Sequence, residues 1–458
     1  MNKILKENIE KLEELAKEMK VDFYPMKYEV VPIESMLDVM SYGLPTRARH
    51  WRYGQSYDYQ KMSGEMGQSK VYELVLNNDP CYAFLLDTNS NIINTMVSAH
   101  VLGHCHFFKN NYLFKKTDNK MVYKAAERAS RIDDYIDRYG ITEVERIMDM
   151  AFAMDRNIDW HKGEYRNKYP GVRPFVKNKN KHSKEFIDMF KKNNITTYDI
   201  KKFPPYQEQD LLWFFVNYAD IEDWKKDVLE IIRQESFYFY PQYLTKIMNE
   251  GFAVYVHTEL MIKLDVSPTD FVEYTQLHEK VVQSGGNKFN MNPYYLGFRI
   301  FKDIESRWDE MHKNGESDIT GYEKILEVVE GEDDVSFIRN YLTEELCEDM
   351  QLFVYDQSTD MMGNQIVEIK SKDLDDVKEY LTKKLYNYAA PGIVIDNVTS
   401  YSIELVHTSS NIGTLDLNHT KKVMTYIYEL WGIPVNIQTV SEDQEEVHIT
   451  LDESGFSI

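Results

Sequence analysis

The spacing of apolar residues predicts a chain that is mainly helical over its first three quarters. Apolar residues recur three and four positions apart, as they do on the buried face of an amphipathic helix. The predicted helices are Ile4–Met19, Ser35–Tyr42, one that starts near Asn91, Met121–Tyr139, Thr142 to about Arg156, Gln207–Tyr218, Glu222 to about Phe237, Pro241–His257, Pro268–Gln283, Pro293 to about Lys313, and Tyr322–Val329.

Two short stretches in this region favour strands. Val71–Leu76 and Tyr82–Leu86 are rich in strand formers and flank the turn Asn77–Pro80, which predicts a β-hairpin, although Tyr72–Leu76 fits a helix equally well. Gly43–Gly54 has the composition of a loop, dense in arginines and aromatic residues.

The pattern changes after about Asp334. Two helices are expected among strands: the helices are Leu374–Tyr388 and Leu417–Trp431, and the strands are Met350–Tyr355, Gln365–Ile369, Ile393–Val398, Ser402–His407, Val435–Val440 and Val447–Leu451. We therefore predict an α+β protein with a large, mainly helical domain over residues 1–333 and a small α+β domain, with a mostly antiparallel sheet, over residues 334–458. Residues 159–205 have no clear period and are predicted to be an insertion or linker.

Two histidines lie on the apolar face of the helix that begins near Asn91. His100 and His104 are four residues apart, so both project from one side of the helix where apolar side chains are expected. A His-x-x-x-His pair of this kind can share a metal ion, and zinc is the metal expected. The alternative is a pair of core histidines that bond to carboxylates or backbone carbonyls.

A carboxylate and a third histidine occupy a similar stripe on a later helix. Glu250 and His257 fall on the same predicted face as Ile247, Val254 and Met261. A glutamate is seldom buried without a partner, so Glu250 calls for a cation, a metal or a raised pKa, unless it lies on the solvent side of a wrongly assigned helix face. The neighbouring Gly251 costs helix stability and permits close approach of a second backbone.

Composition narrows the class of protein. The 458 residues carry a net charge of −22, which argues against general binding to nucleic acid or to anionic lipid. No signal peptide and no apolar run long enough for a membrane span are visible. The three cysteines are scattered, which fits a reducing compartment. These features lead us to expect a cytoplasmic protein.

Several blocks along the chain together resemble the SpoVR family. They are Asp22–Met26, Pro45–Arg47, His50–Trp51, Ser69–Val75, Asn78–Leu85, Ala99–Val101, Phe107–Asn111, Pro241–Gln242, Thr245–Lys246, Asn249–Gly251 with His257, and Asn292–Tyr294 with Leu296–Gly297. The family takes its name from a stage V sporulation protein, so the resemblance implies a part in forming the peptidoglycan cortex of the spore, although members also occur in bacteria that do not sporulate. This chain has His106 where the family pattern has aspartate.

The candidate ligands are similar to those of zinc peptidases with two histidines and one glutamate, but the set is degenerate. The large helical domain is therefore expected to resemble a degenerate zinc-metallopeptidase-like helical core. Val101 stands where the His-Glu-x-x-His motif has its general base. The set His100, His104 and Glu250 with one open position would suit catalytic Zn²⁺. His257 or Glu235 could then serve as a proton acceptor or as a group that orients a ligand.

These residues support more than one function. The first is a metal-dependent hydrolase of amide or peptide bonds that acts in cortex formation on a cytosolic substrate. The second is a non-catalytic factor that acts through protein partners, with the polar cluster as a structural network. A third is a degenerate hydrolase fold retained as a binding module, which would bind a metal or ligand without turnover.

Overall fold

A computed structural model describes residues 1–65, 73–169, 202–283, 291–359, 365–385, 390–410 and 412–458. Over these residues the protein is α+β, with helices predominating and with small, mostly antiparallel sheets, as the sequence predicted. Among the described helices, none is long and apolar enough to cross a membrane.

The described helices are, in chain order, α1 (Lys3–Glu18), α2 (Ile33–Tyr42), α3 (Trp51–Glu65), α4 (Asn91–Asn110), α5 (Met121–Tyr139), α6 (Ile141–Phe152), α7 (Leu211–Tyr218), α8 (Asp223–Leu244), α9 (Lys246–Lys263), α10 (Pro268–Val281), α11 (Pro293–Lys313), α12 (Gly321–Gly331), α13 (Asp334–Tyr341), α14 (Glu344–Asp349), α15 (Leu374–Leu385) and α16 (Leu417–Trp431). A short 3₁₀ helix covers Phe114–Lys116.

The described strands are β1 (Met26–Val31), β2 (Glu73–Leu76), β3 (Cys81–Leu86), β4 (Val354–Thr359), β5 (Gln365–Ser371), β6 (Ile393–Val398), β7 (Ile403–His407), β8 (Val435–Val440), β9 (Glu446–Asp452) and β10 (Gly455–Ser457). They form a sheet of order β1-β3-β2, a β4-β5 hairpin and a sheet of order β10-β9-β8-β7-β6. The pairs β1/β3 and β7/β8 are parallel, and the other pairs are antiparallel.

Contacts group the chain into two compact units. The first comprises residues 1–130 and 238–388, and the second comprises residues 131–237 and 389–458. The division into domains 1–333 and 334–458 remains a prediction from the sequence pattern. Most of the predicted insertion, 159–205, lies outside the described residues.

The predicted hairpin is confirmed as β2 and β3, but the structure differs from the predictions at α3 and at Pro241, and strand β1 was not predicted. The backbone of β1 pairs in parallel with that of β3. Helix α3 begins at Trp51, inside the predicted loop. Pro241 does not begin a helix: it lies inside α8, which loses only one backbone hydrogen bond there and ends one turn later.

The core of the first unit is built around α4. Its residues from Asn94 to Phe108 are all buried, so this helix has no solvent face. It packs on α9, and a Cβ added to Gly103 would lie 2.7 Å from the Cα of Ala253. Helix α9 packs in turn on α11, where a Cβ on Gly251 would collide with the backbone of Gly297. The predicted close approach at Gly251 is therefore confirmed.

The second unit has its own core. Its five-stranded sheet contacts the segment just before α7 through a backbone bridge between Glu208 and Ile395. Arg233 is fully buried and pairs with Asp210, with Nη2–Oδ2 at 2.9 Å. Glu235 is also buried in this unit, two residues further along α8.

Candidate metal centre

Helix α4 presents His100 and His104 on one face, and the Nδ1 atom of each imidazole contacts a polar side chain of another residue. Nδ1 of His104 lies 2.9 Å from Oδ1 of Asn249, and Nδ1 of His100 lies 2.9 Å from Nδ1 of His257. An amide oxygen only accepts, so Nδ1 of His104 carries the proton of that bond. Both Nε2 atoms therefore face away from these partners and towards a common point.

Helix α9 brings Glu250 to that point, and a distant carboxylate fixes the start of this helix. The backbone N–H groups of Ile247 and Met248 donate to the carboxylate of Asp334, at 2.8 and 2.9 Å. Thr245, the N-cap residue of α9, makes no side-chain capping bond, so Asp334 supplies the missing acceptor. Burial raises the pKa of Asp334 to about 8, although the two N–H donors act in the opposite direction.

A second carboxylate, Glu73 at the start of β2, completes a group of four. Oε1 of Glu73 lies 3.2 Å from Nε2 of His100 and 3.7 Å from Nε2 of His104. Oε2 of Glu250 lies 3.7 and 3.4 Å from the same two atoms. Among the described residues, these four side chains form the group of histidines and acids that could hold a metal ion.

The group has strong internal electrostatics. Burial alone would lower the pKa of His104, but Glu250 and Glu73 outweigh it and raise this pKa to about 10. The pKa of His100 is raised in the same way, against burial, by Glu73 and Glu250. Conversely, burial would raise the pKa of Glu73, but the two imidazoles lower it to about 2, and they also hold the pKa of Glu250 below its usual range. Without a metal, the acids thus favour protonation of the imidazoles, and the imidazoles favour ionisation of the acids.

Two observations indicate that this donor set fits a cation. Nε2 of His100 and Oε2 of Glu250 are buried and make no hydrogen bond of good geometry, which is unusual for atoms of this kind. The four distances between nitrogen and oxygen donors span 3.2–3.7 Å. Ligands about 2.0–2.1 Å from a tetrahedral Zn²⁺ would be about 3.3–3.4 Å apart, so the group needs little adjustment to enclose one.

The group is reached from its carboxylate side. The side chains of His100 and His104 are 3% and 6% exposed, whereas those of Glu73 and Glu250 are 21% and 18% exposed. Tyr294 also borders the group, and its ring stacks on that of His100 with the centroids 6.1 Å apart. Burial and the charges of Glu250 and Glu73 raise the pKa of Tyr294 well above its usual value.

A row of histidines extends from the group. Nε2 of His257 lies 2.9 Å from Nδ1 of His278, a half-buried residue on α10. Burial lowers the pKa of His257 well below its usual value, and positive charge on His100 and His278 acts in the same direction. His257 is thus neutral at pH 7 and can accept a hydrogen bond from His100.

The structure brings together the predicted ligands His100, His104 and Glu250, and it places His257 directly behind His100. Glu235 lies in the other compact unit and is not one of the four residues of the group, so its role remains a prediction. His106 is not part of the group either. Its Nδ1 accepts from the backbone N–H of Asp22 at 2.8 Å.

Sequence reasoning missed two functional side chains, Glu73 and Asn249. Both stood within blocks that resemble the family, but neither was assigned a chemical role. Asn249 directly precedes Glu250, and an amide there could have been considered as a partner for a ligand histidine. For Glu73, the one signal was a carboxylate at the start of an otherwise apolar strand, Leu74–Leu76.

Two comparisons with known proteins give matches to this chain. A family model described as "SpoVR like protein" matches residues 1–390. The chain belongs to the SpoVR family. It is also similar to YcgB, an uncharacterized protein of Escherichia coli strain K12, with 29% identity over 467 residues that cover 94% of this chain and 91% of the relative. No solved structure gives a significant match. All four residues of the group lie within the part that matches the SpoVR family.

Proposed function

We propose that this SpoVR-family protein is a metal-dependent hydrolase of amide or peptide bonds. The observation that carries the proposal is the meeting of His100, His104, Glu250 and Glu73 at donor separations suited to one divalent cation. Zinc is the preferred ion, because imidazole nitrogen and carboxylate oxygen are among its usual protein ligands and the donor separations suit four-coordination. In this proposal, the resemblance to zinc peptidases rests on the ligand types.

Each residue has a role in the proposed reaction. A bound divalent cation would polarise a carbonyl group and make a water molecule more acidic. His257 and Asn249 hold the two imidazoles in one orientation, so that each Nε2 lone pair points at the cation. Tyr294 packs against the ring of His100 and limits its movement. His257 is also the candidate proton acceptor, because it is neutral. Its Nε2 contacts Nδ1 of the half-buried His278, which could pass a proton on.

Glu73 changes the ligand set expected from the sequence. Three ligands would leave a tetrahedral position open for water, whereas Glu73 lies close enough to His100 and His104 to be a fourth ligand of a bound cation. In a hydrolase, Glu73 would instead stand beside the cation as a general base. It would then supply the carboxylate that Val101 cannot provide next to the first histidine.

The same observation favours a second candidate function. Four ligands that close the shell are typical of a structural metal site, which stabilises a fold and performs no chemistry. The protein would then be a non-catalytic binding or regulatory factor that acts through protein partners. In either case, we propose a cytoplasmic role in sporulation, at the stage of cortex formation that the family name indicates.

The two candidates differ in turnover. Zinc-loaded wild-type protein is incubated with short peptides, including those of cytosolic peptidoglycan precursors, and with N-acyl amino acids, and products are detected by mass spectrometry. The hydrolase candidate predicts cleavage that falls at least about 100-fold in Glu250→Gln, because a cation contributes several kcal/mol to such reactions. Glu259→Gln, on the same helix but outside the group, should retain the rate. Stoichiometric metal without any cleavage would favour the non-catalytic factor.

A further inference from the structure

We propose that Cys81 and Cys105 are a redox pair, which closes into an intramolecular disulfide when the protein meets a peroxide. The pair would link the sheet that carries Glu73 to the helix that carries His100 and His104. This proposal does not depend on metal binding or on hydrolysis.

The two thiols are far apart in the sequence but meet in the core. Cys81 is the first residue of β3, and Cys105 lies in the last turns of α4. Both are free cysteines with no exposed surface, and their Sγ atoms are 2.8 Å apart. This is closer than an ordinary contact between two thiols, and a disulfide bond of about 2.05 Å needs a further approach of less than about 1 Å. The fold therefore presents the two sulfurs ready to bond.

The surrounding backbone holds both cysteines in place. The backbone N–H of Cys81 donates to the carbonyl of Pro25 at 2.9 Å, and the thiol of Cys105 lies 3.8 Å from the carbonyl of Tyr24. Strand β3 is in turn paired with β2, where Glu73 lies opposite Leu85. A covalent bond from β3 to α4 would therefore tie the sheet that supplies Glu73 to the helix that supplies His104.

The chemistry balances with hydrogen peroxide as the oxidant. The sulfur of one cysteine attacks a peroxide oxygen, the O–O bond breaks, and one water leaves as that sulfur becomes a sulfenic acid. The sulfur of the other cysteine then displaces the hydroxyl group, which leaves as a second water with the remaining thiol proton. The peroxide is reduced by two electrons and the thiol pair is oxidised by two. A dithiol reductant reverses the change by thiol–disulfide exchange.

The third cysteine provides an internal control. Cys347 is buried on α14, and no contact between its sulfur and another sulfur is present among the described residues. It has the burial of the pair without the neighbouring thiol. Oxidation of Cys347 should therefore stop at single-sulfur products and should not yield an intramolecular disulfide.

The test uses the full-length, reduced protein under native conditions. Hydrogen peroxide is added over a time course of hours, because buried sulfurs react slowly, and the samples are unfolded in the presence of an alkylating reagent. We expect the free thiols to fall from three to one, with the linked Cys81–Cys105 peptide found by mass spectrometry. Dithiothreitol should restore all three thiols.

Two variants sharpen the result. Cys347→Ala should still lose two thiols and form the same linked peptide, whereas Cys105→Ala should form no disulfide. If Cys105→Ala does not fold, the peptide map of the wild-type protein still decides the matter. The proposal is overturned by three free thiols at the end of the time course, by sulfinic or sulfonic acid at Cys81 or Cys105 without the linked peptide, or by a disulfide that involves Cys347.

Discussion

The two candidate ligand histidines, His100 and His104, are oriented by an imidazole and an amide, where metal ligands often have a carboxylate. The carboxylates Glu73 and Glu250 are placed on the opposite side, against the Nε2 atoms. Negative charge is thus concentrated where a cation would bind. The hydrogen bonds behind the rings fix which nitrogen is available for coordination.

Loss of the partner behind His100 should weaken metal binding. His257→Leu leaves the Nδ1–H of His100 buried without an acceptor. The imidazole ring of His100 can then rotate away from its position in the group. We expect zinc affinity to fall by about 10–100-fold, the usual cost of losing such a partner, as measured by competition with a chelating dye. His407→Leu is the matched control: it removes a buried, hydrogen-bonded histidine from the other compact unit. Equal effects of the two changes would show that His257 has no specific role in metal binding.

Metal binding should release protons, because a cation requires both imidazoles to be neutral. The pKa of His104 is raised to about 10, so this group is protonated at pH 7 before the metal arrives. We expect zinc affinity to rise by about tenfold per pH unit for each proton displaced between pH 6 and 8. Calorimetry in buffers with different ionisation enthalpies measures the release. A binding enthalpy that is the same in every buffer would contradict this prediction.

The same pKa values predict how the metal-free protein responds to pH. The raised pKa of His104 contributes stability that is complete below pH 6.5 and is lost as the pH rises through about 10. The lowered pKa of Glu73 contributes stability that is complete above pH 4.5 and is lost as the pH falls through about 2. The free energy of unfolding, measured in urea, should therefore fall most for His104→Ala at neutral pH and little near pH 10. A loss that does not vary with pH would contradict the ion-pair description.

At the scale of elements, helices α4, α9 and α11 pack so closely that their crossing points have no room for a Cβ atom on the glycines there. Gly103 of α4 faces Ala253 of α9, and Gly251 of α9 faces Gly297 of α11. These contacts set the distance between the helix that carries the histidines and the helix that carries Glu250. Glycine at these positions is thus part of the construction of the centre.

Gly251→Ala tests this packing. The added methyl group would collide with the backbone of Gly297, so the helices have to separate. We expect the free energy of unfolding to fall by about 1–3 kcal/mol, with weaker zinc binding because Glu250 is the adjacent residue. Gly54→Ala is the control, since an added Cβ there meets nothing within 4 Å and alanine favours a helix. Unchanged unfolding of Gly251→Ala in urea would show that the crossing tolerates a side chain.

Periodicity predicted the elements well where one period holds over many residues. The helix that became α4 was predicted with both histidines on one face, and Gly251 was predicted to allow a close approach. Strand β1 was not predicted, and the helix start predicted at Pro241 was wrong, because local composition was ambiguous in both places. Tyr and Pro residues hid a strand whose partner, β3, lies more than fifty residues later, and a proline was tolerated inside α8.

At the scale of the whole molecule, the centre gathers side chains from distant parts of the chain. Glu73 comes from a strand, His100 and His104 from α4, and Asn249, Glu250 and His257 from α9, whose start is capped by Asp334. Residues on one helix are related by spacing, so the histidine pair and the Glu250–His257 stripe could be predicted from the sequence. Glu73 could not, because its position depends on how the β1-β3-β2 sheet packs against α4, and no spacing in the sequence encodes that.

The central claim is that His100, His104, Glu250 and Glu73 hold a divalent metal, and elemental analysis tests it most directly. The wild-type protein is purified without chelators, incubated with Zn²⁺, Mn²⁺ or Fe²⁺, and separated from excess ion. The variant His100→Ala is treated in the same way. The control is His448→Ala, which removes an exposed histidine from the other compact unit. We predict about one metal ion per chain in wild type and His448→Ala, and less than about a tenth of that in His100→Ala. Wild-type protein that retains none of these metals, or His100→Ala that retains as much as wild type, would contradict the claim.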